Sequence, residues 1–549
     1  MSTLRLTNLQ DIDTGTMVAV LDLVQTQGLT DGADLTKGAA LIGRNGQVVT
    51  SIANLRLLSK TAASKFAFAT GYYVSGDVGG GAYYLDEGDT TSADNGGTVI
   101  VAADGGRWKL YQTVPVSLRQ FGGKGDDSSD DTAAVSAAVA YITATGKSVH
   151  VPAGTFLTDP FAINVTSYAL QNSFVGEDRD SCTLKRRVAG GGAFFTLGSA
   201  VGTIFQAGGG LSDITLDGGI NTNGATFLGY DLVRTSFDNV HFQGGIAAVQ
   251  LKGGISLAFN NCLANLAQYG YHIDKFTSLA GGGWPNLIQI HGGEAVDNSL
   301  WGIYFDGGRM LSVSDCDVEG NGTTLGAPTG GLYIGPNVGQ EVAGTDPLTP
   351  GVVCNRVWFE ANKGSADIAQ DSGVCSYQDC YFFSSNAQVN NAFAVSAGRY
   401  YLKNPNFSMP FTFQVFEGAG VSFGNVIESS DLATYAVNFD KTSVTANNVT
   451  QVRGGQVPAV VNLSKPLIQV GSDATGAGGA TVTFPIPFVG TPTVTVTVNN
   501  GDTTTMLTQV VISSVSNTGF FARGLSVTSG SSTVLQSNLG FTWNAVGTK

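Results

Sequence analysis

Two short phrases of the sequence carry acidic residues in the same context and could form one catalytic centre. The first, SDCDVEGNG, contains Asp317 and Glu319, and the second, NRVWFEANKG, contains Glu360. The phrases follow one template, so coils that stack in register would place Glu319 beside Glu360. Because neighbouring strands lie about 4.8 Å apart, we expect the two carboxyl groups at roughly 5 Å on one surface.

A pair of carboxyl groups at this distance has a defined chemistry. One of them holds its proton to a higher pH while its neighbour ionises more easily. Cleavage of a glycosidic bond needs such an acid beside a base or nucleophile, and a separation of about 5 Å favours retention whereas about 6.5–9.5 Å favours inversion. The candidate catalytic residues are Glu319 and Glu360, with Asp317 and Glu294 close to them.

The elements that would position these residues repeat over residues 234–398, with a basic period of 22–23 residues. This period is typical of a solenoid coil of short strands, in which alternate side chains face inward and outward. The predicted inward columns are Val240, Cys262, Gly293, Cys316, Val357, Cys380 and Phe242, Ala264, Ala295, Val318, Phe359, Phe382. The predicted outward columns are His241, Leu263, Glu294, Asp317, Trp358, Tyr381 and Gln243, Asn265, Val296, Glu319, Glu360, Phe383.

Insertions between coils, at residues 275–285, 322–329 and 336–350, are predicted to form the walls of a groove. A second strand in each coil predicts a further outward column. The outward column is Ala247, His272, Tyr304, Tyr333 and Asp367, and its inward neighbours are Ile303 with Phe305, Leu332 with Ile334, and Ala366 with Ile368.

Aromatic and polar side chains near the acids are candidate substrate-binding residues, because aromatic rings offer flat apolar faces to sugars. His241 and His272 are alternative bases if the reaction is an elimination. No spacing of ligands predicts a metal site, and we expect neither a metal nor a cofactor. The candidate binding residues are Trp358, Tyr381, Tyr304, Tyr333, Trp301, Asp306, Arg309 and His291.

Composition restricts the class of protein. The 549 residues include 75 glycines and only 13% charged residues, which suits an all-β protein with many turns. The net charge of −14 argues against nucleic acid as a partner, and no apolar run is long enough for a transmembrane helix. The N-terminus lacks the pattern of a secretion signal, and the six cysteines suggest reduced core residues of a protein made in a cytoplasm.

The first half of the chain resembles parts of known phage proteins. Residues 1–50 show little pattern beyond a possible helix at 17–27, whereas 51–113, with GYYVSGDVGGGAYY and GRW, resemble the attachment module of bacteriophage tailspikes. The segment that begins at 114 contains FGGKGDDSSDDTAAV from residue 121, a predicted helix at 132–143 and then VHVPAGTF. This segment resembles the start of pectate-lyase-like right-handed β-helices, whose helix caps the solenoid. The predicted turn and cap residues are Asp126, Asp127, Asp130 and Asp131.

The resemblance extends to the C-terminus. The β-helix is expected over 114–455, and the Thr/Val-rich segment 456–549 predicts a β-sandwich similar to the C-terminal domains of phage tail fibres and spikes. This order of domains resembles a tailspike with polysaccharide depolymerase activity. The resemblance implies a homotrimer in the virion tail, made in the host cytoplasm. Its N-terminal region would bind a tail or baseplate protein, and its substrate would be a bacterial capsule or O-antigen, with no membrane insertion.

Three activities remain open from the sequence. The first is a glycoside hydrolase that uses the paired carboxyl groups. The second is a polysaccharide lyase that acts on a uronic-acid polymer with a His, Lys or Tyr base. The third is a spike that binds a receptor without cleaving it. One β-helix can carry any of these functions, so the fold does not choose between them.

Overall fold

Strands make up most of the described chain, and most of them run parallel in successive coils, which confirms the predicted all-β class. Internal packing divides the chain into two units. Unit 1 comprises the described residues up to 158 together with 173–177, and unit 2 comprises 159–172 and 178–549. The computed structural model describes residues 47–62, 64–111, 115–164, 173–199, 206–219, 223–274, 284–338, 350–385, 387–407, 413–421, 425–428, 449–453, 467–476, 478–499, 506–528, 531, 534–536 and 538–547.

Unit 1 begins with a small β-sheet over residues 47–110. Its first two strands are parallel and the other pairs are antiparallel. Tyr83 and Trp108 are fully buried between strands, and the Tyr83 hydroxyl donates to a backbone carbonyl oxygen at 3.0 Å. A small β module is therefore present where the sequence predicts one. Its strands are Gln47–Val49, Phe66–Ala69, Gly81–Leu85, Val99–Val101 and Arg107–Leu110, with a short helix at Ile52–Leu55.

The predicted capping helix follows in unit 1 as Thr132–Thr145. Asp131 is its N-cap residue, but the carboxylate accepts hydrogen bonds from the backbone of Lys124 and Gly125. Gly146 ends the helix in the left-handed conformation, with φ of 70°. No helix among the described residues is long and apolar enough to span a membrane. The other elements are strands Val116–Ser117, Asp126–Asp130, Val149–Val151, Gly154–Thr158 and Phe174–Gly176, and the 3₁₀ helix Leu118–Phe121.

Unit 2 winds its strands into a parallel β-helix with two long sheets, sheet 1 and sheet 2. The strand Val389–Lys403 joins sheet 2 with its first part and sheet 1 with its last part. Sheet 1 also contains Cys182–Arg186, Gln206–Ala207, Leu211–Asp217, Leu232–Val233, Ser236–Gln243, Ile255–Asn265, Asn286–Val296, Leu311–Ser314, Asp317–Glu319, Pro350–Asn355, Trp358–Glu360, Val374–Gln378, Tyr381–Phe382, Asn406–Phe407, Asn425–Glu428 and Val449–Arg453. Sheet 2 also contains Phe161–Ile163, Phe195–Leu197, Phe227–Tyr230, Ala247–Lys252, Tyr269–Asp274, Trp301–Gly308, Gly330–Val338, Gly364–Gln370 and Phe413–Val421.

A bend divides the coils of sheet 1 at residues with a left-handed backbone. Asn239, Asn261, Asp315, Arg356 and Asp379 have φ between 51° and 55°. Asn and Asp tolerate this conformation because their short side chains can bond locally. These side chains also join coils, since Asn261 donates to Asn239 at 3.2 Å and Arg356 donates twice to Asp315 at 2.6 and 2.8 Å. The bend therefore separates the segment that carries the candidate acids from the first half of each coil.

Apolar side chains from successive coils stack inside the β-helix. Phe237 lies against Phe259 with ring centroids 4.7 Å apart and planes 8° apart, and Phe359 stacks on Phe382 at 5.4 Å. These stacks repeat because parallel in-register coils bring equivalent positions together. The six cysteines are free and buried, as the sequence indicates: Cys182, Cys262, Cys316, Cys354, Cys375 and Cys380.

The second predicted column, on sheet 2, is wrong at both ends. His272, Tyr304 and Tyr333 are Cα partners in successive coils, as predicted. Their partner in the preceding coil is Gln250 rather than Ala247, which lies further back along its strand and is buried. Alternation alone does not fix register where a strand is apolar on both faces, as it is at the start of AAVQLK, where Ala247, Ala248 and Val249 are all apolar and buried.

Asp367, predicted to face outward, is instead fully buried. Leu332 pairs with Ile368, so this strand is shifted by two residues from the predicted register, and Ala369 continues the outward column. The buried carboxyl is accommodated because the side chains of Asn362 and Ser384 both donate to its Oδ1, at 3.0 and 2.6 Å. Interior hydrogen bonds thus place a polar residue where alternation would place an apolar one.

A row of buried asparagines, the asparagine ladder, follows the acid-bearing strands. Asn298 donates to Oδ1 of Asn321 at 2.9 Å, and Asn321 donates to Oδ1 of Asn362 at 3.0 Å. Asn362 then donates to Asp367. Asn321 and Asn362 each lie two residues beyond a candidate acid, so the ladder fixes the turn that ends each acid-bearing strand.

The C-terminal segment of unit 2 forms two antiparallel sheets, which confirms the predicted β-sandwich. Aromatic residues dominate the core between them, including Phe484, Phe520, Phe541 and Trp543. The predicted helix at 17–27, most of the loops at 275–285 and 336–350, and the segment 429–448 lie outside the described residues. The strands are Leu467–Ala474, Ala480–Thr483, Thr493–Val498, Met506–Ser513, Gly519–Thr528, Val534–Gln536 and Gly540–Gly547.

The asparagine ladder predicts a large stability effect from one buried side chain. Asn321→Ala removes donors to Ala295 and Asn362 and an acceptor for Asn298. Each buried polar group left without a partner costs about 1–3 kcal/mol. We expect the melting temperature of the β-helix, followed by far-ultraviolet circular dichroism, to fall by several degrees. Asn390→Ala, at an exposed position, is the control, and equal melting of both variants would contradict a structural role for the ladder.

Candidate active site

The register of sheet 1 brings the predicted acids together. Glu319 and Glu360 are Cα partners in adjacent coils, as predicted from the two sequence phrases. Asp317 pairs with Glu294 in the coil before it and with Trp358 in the coil after it. Four carboxyl groups therefore lie on three adjacent coils spaced about 4.8 Å apart. We call these four residues and Trp358 the acidic block.

Aromatic rings continue the acidic block on the next coil. The Trp358 ring stacks on Phe383 with centroids 4.2 Å apart and planes 5° apart, and on Tyr381 at 5.3 Å. The Trp358 Nε1–H donates to Oε2 of Glu360 at 2.8 Å, which holds that carboxylate beside the indole. Because one face of Trp358 is covered by this stack, its other face is directed toward the coil of Asp317.

Asp317 has the most perturbed environment in the acidic block. Burial is the main cause that raises its pKa to about 6, and the charges of Glu319, Glu294 and Glu360 raise it further. Its Oδ1 is buried and accepts no hydrogen bond from the described residues. The pKa of Glu319 is also raised, by burial and then by Glu360. A carboxyl group that keeps its proton near neutral pH can act as a general acid.

Local sequence explains how these side chains reach the surface. The two strands that carry Asp317, Glu319 and Glu360 are each only three residues long, with an apolar residue, Val318 or Phe359, anchored in the core between two outward side chains. The left-handed bend at Asp315 or Arg356 precedes the strand, and the asparagine ladder ends it. The strands are therefore held at both ends and in the middle, which orients the carboxyl groups before any substrate binds.

The acidic block has the components of acid–base chemistry on a sugar chain. Asp317 can supply a proton to a leaving oxygen, and the other carboxylates can act as base or nucleophile. The indole of Trp358 offers an apolar face to a sugar ring. Among the described residues, no group of three or more His, Cys, Asp or Glu is arranged to hold a metal ion.

Several predicted binding residues lie away from the acidic block. Tyr304, Tyr333 and Asp306 belong to a strand pair of sheet 2, on a different face of the coils. Trp301 is only 4% exposed, so its ring has no face for a sugar and it is removed from the candidates. Arg309, just beyond a sheet 2 strand, donates its backbone N–H to a carbonyl oxygen at 2.8 Å.

His291 lies on sheet 1 but on the other side of the bend. Its Nδ1 is 2.9 Å from the Ser314 hydroxyl and 3.7 Å from an Asp315 oxygen, which Arg356 also binds. The two alternative bases are also held by neighbours. His241 Nε2 is 2.9 Å from Oδ1 of Asn265, and burial lowers its pKa. His272 Nε2 is 2.8 Å from Oδ1 of Asp274.

The sequence alone did not show that Asp317 has the most perturbed pKa of the four acids. It also did not show that the asparagine ladder supports the acid-bearing strands. The signal for the ladder is present, since asparagine recurs two residues after Val296, Glu319 and Glu360. The loop at 322–329 is described and follows the coil of Glu319, whereas residues 275–283 and 339–349 lie outside the described chain. The predicted groove walls therefore stay predictions.

Three segments of the chain match families of known proteins. Residues 48–113 match the phage tail protein small four-stranded beta-sheet domain. Residues 115–203 match the rhamnogalacturonase A/epimerase, pectate lyase-like family, and 466–548 match the putative tail fiber protein gp53-like C-terminal family. These matches confirm the resemblances stated from the sequence. The domain boundaries at 51–113, 114–455 and 456–549 stay predictions.

Similar solved structures include phage tailspikes. The gp42 tailspike of Acinetobacter phage vb_AbaP_AS12 aligns with a TM-score of 0.55 at 14% identity, covering 90% of this chain and 91% of its own. This similarity supports a shared fold. The tailspike gp49 of Acinetobacter baumannii bacteriophage Fri1, a capsular polysaccharide depolymerase, aligns with a TM-score of 0.44 at 13% identity, covering 91% and 98% of the two chains.

The raised pKa of Asp317 predicts a pH-dependent gain in stability on its replacement. The folded wild type binds the proton of Asp317 more tightly than the unfolded chain does. The stability that this proton contributes is complete below about pH 4 and is lost as the pH rises through about 6. Asp317→Asn does not titrate. We expect it to melt with the wild type at pH 4 and a few degrees above it at pH 7.5. Asp180→Asn, at a side chain 80% exposed, should match the wild type throughout. A constant difference at all pH values would contradict the assignment.

Proposed function

We propose that the protein is a phage tailspike that binds and depolymerises a bacterial surface polysaccharide, acting as a glycoside hydrolase. The observation that carries this proposal is the acidic block, in which Asp317 has a pKa raised to about 6 among ionisable neighbours beside a stacked Trp358. The phage-tail and tail-fibre families matched at the two ends of the chain support a place in the virion tail.

In the proposed mechanism, protonated Asp317 donates its proton to the glycosidic oxygen as the bond breaks. Glu360, held by the indole N–H, or Glu319 beside it, acts on the opposite side as base or nucleophile. Burial and then the like charges of the block favour the protonated form of Asp317 up to about pH 6, because ionising it would place another negative charge on the same partly buried surface.

The charge of the block favours hydrolysis over elimination. A lyase acting on a uronic acid neutralises the substrate carboxylate with a cation or another electrophile. The two outward columns of the block, from His241 to Tyr381 and from Gln243 to Phe383, contain no Lys or Arg. Four carboxyl groups would repel an anionic sugar at this position. A lyase remains the alternative chemistry, and a spike that only binds remains the alternative function.

The remaining parts of the proposal concern assembly. Residues 48–113 would attach the spike to a tail or baseplate protein, as their family suggests, and the C-terminal sandwich would support a homotrimer or bind glycan. The substrate would be a capsule or an O-antigen. Synthesis in the host cytoplasm is consistent with six cysteines that are free and buried.

Activity assays on purified capsules and O-chains test the chemistry. We expect new reducing ends without the ultraviolet absorbance of an unsaturated sugar. Asp317→Asn and Glu360→Gln should each lower kcat by about 10²–10⁴-fold, because each removes an acid–base group, while Asp180→Asn should not. Unsaturated products would identify a lyase, and binding without cleavage would leave a receptor spike. Full activity of the Glu319→Gln and Glu360→Gln variants would overturn the site assignment.

The pH profile gives a separate test of the role of Asp317. A general acid must be protonated, so kcat/KM should fall tenfold per pH unit above a midpoint of about 6. Measuring initial rates from pH 4 to 9 on the cleaved polymer checks this. A profile that stays flat above pH 6 would contradict the role of Asp317 as the acid.

A further inference from the structure

Sheet 2 carries a second polar and aromatic surface that the proposed chemistry does not use. His272, Tyr304 and Tyr333 are Cα partners in three successive coils, and all three side chains are partly exposed. Two residues further along their strands, Asp274 and Asp306 face the same way. Lys252 precedes Asp274 in that second column, and Asp371 follows in a later coil. We call these seven residues the sheet 2 surface.

The aromatic rings of this surface are stacked along the coils. Tyr304 and Tyr333 have ring centroids 4.7 Å apart and planes 27° apart, and His272 meets Tyr304 edge-on at 4.9 Å. Stacking covers the faces of the tyrosine rings, so their edges and hydroxyl groups carry the contacts to a ligand. The Tyr333 hydroxyl donates to Oδ2 of Asp371 at 2.7 Å. The surface therefore presents fixed hydroxyl and carboxylate groups at intervals of about 4.8 Å.

A β-bulge lies within the sheet 2 surface. The register between the strands of Tyr304 and Tyr333 shifts between Phe305 and Gly307, which places Asp306 at the irregular position. Gly335 lies opposite, and a Cβ atom on it would come within 2.4 Å of an Asp306 oxygen. Bulges are found next to functional sites, where they redirect a side chain. Gly335 leaves room for the Asp306 carboxylate, so both the bulge and the absence of a side chain at Gly335 favour the observed position of this carboxylate.

The ionisation of these groups suits binding rather than cleavage. Although burial opposes it, the hydrogen bond from His272 and the charge of Lys252 lower the pKa of Asp274 to about 2. Asp274 is therefore ionised and cannot donate a proton. Burial and then Asp306 raise the pKa of Tyr304 to about 12, so its hydroxyl stays protonated and can both donate and accept. Such groups hold sugar hydroxyls in fixed directions.

The charge of the surface indicates which ligand it fits. The cores of interfaces between subunits are depleted in charged residues, and the sheet 2 surface contains three carboxyl groups and one ammonium group. A hydrated, hydroxyl-rich ligand suits it better than a second copy of this chain. The excess of negative charge also disfavours polymers of uronic acids. An uncharged or amino-sugar polysaccharide segment satisfies both conditions.

We propose that sheet 2 carries a second, non-cleaving binding site for uncharged segments of the polysaccharide, separate from the acidic block. This proposal rests on the proposed function, because the ligand is a part of the same polymer. A chain held at the second site raises the local concentration of cleavable bonds at the first. The site therefore lowers the KM for long polymers and leaves kcat unchanged.

The test removes hydroxyl groups without removing rings. The Tyr304→Phe/Tyr333→Phe double variant keeps the stack and deletes two hydrogen-bonding groups, and Tyr111→Phe, at an exposed position in unit 1, is the control. The probe is the purified capsular or O-chain polysaccharide that the wild type cleaves. Affinity is measured by retardation in gels that contain this polymer, with Asp317→Asn in every protein to prevent cleavage.

We expect the double variant to bind the polymer about tenfold more weakly, since each lost hydroxyl contact contributes a few-fold. With Asp317 restored, KM for the polymer should rise about tenfold at unchanged kcat, and the mass by light scattering should not change. The control should match the wild type. Polygalacturonate, a uronic-acid polymer, should not retard the protein.

Each other outcome is decisive. If the wild type cleaves the polymer and the double variant binds it equally well, the second site is wrong and the proposed function stands. If no polysaccharide is cleaved or bound by the wild type, the proposed function fails first. A lower kcat at constant KM would assign the tyrosines to the catalytic centre. A changed mass would assign the surface to contacts between copies, and retardation by polygalacturonate that the double variant loses would overturn the ligand class.

Discussion

In-register stacking of parallel coils is the constraint on which the β-helix depends. Every side chain in its sheets has its nearest equivalents in the coils before and after it, at about 4.8 Å. Inside, this produces stacked phenylalanines and the asparagine ladder, in which each amide bonds to the next. Outside, it produces rows of like or complementary groups. The same geometry that pairs Phe359 with Phe382 in the core pairs Glu319 with Glu360 on the surface.

Stacking identical charges is unfavourable, so the acidic block is a place where the sequence opposes the fold. Burial and three neighbouring carboxylates raise the pKa of Asp317, which means that the folded state is less stable when Asp317 is ionised. The strands nevertheless hold their position, because Val318 and Phe359 are anchored in the core and the asparagine ladder ties the turn that follows. Local inconsistency of this kind is expected at a functional site.

The two outward surfaces of the β-helix use the same repeat for different chemistry. On sheet 1 burial and the neighbouring carboxyl groups raise the pKa values of Asp317 and Glu319, and the indole of Trp358 lies beside them. On sheet 2 the carboxylate of Asp274 is bound by the side chains of His272 and Lys252 and stays ionised. The difference lies in the partners, since Lys252 lies beside Asp274 on one surface, whereas the two outward columns of the other contain no Lys or Arg. One surface can therefore exchange protons, and the other can hold hydroxyl groups.

The sequence by itself determined the all-β class, the helix at Thr132–Thr145 and the pairing of Glu319 with Glu360, because a buried apolar residue, Val318 or Phe359, precedes each of these acids and fixes the alternation. Alternation failed where interior hydrogen bonds compete with it. Asp367 is buried because the side chains of Asn362 and Ser384 supply hydrogen-bond donors to it. Only the tertiary structure decided that Asp317 holds the perturbed proton, and that Trp301 is buried and not a sugar platform. The burial of a residue and the charges near it depend on its neighbours from other coils, and the order of residues alone does not specify those neighbours.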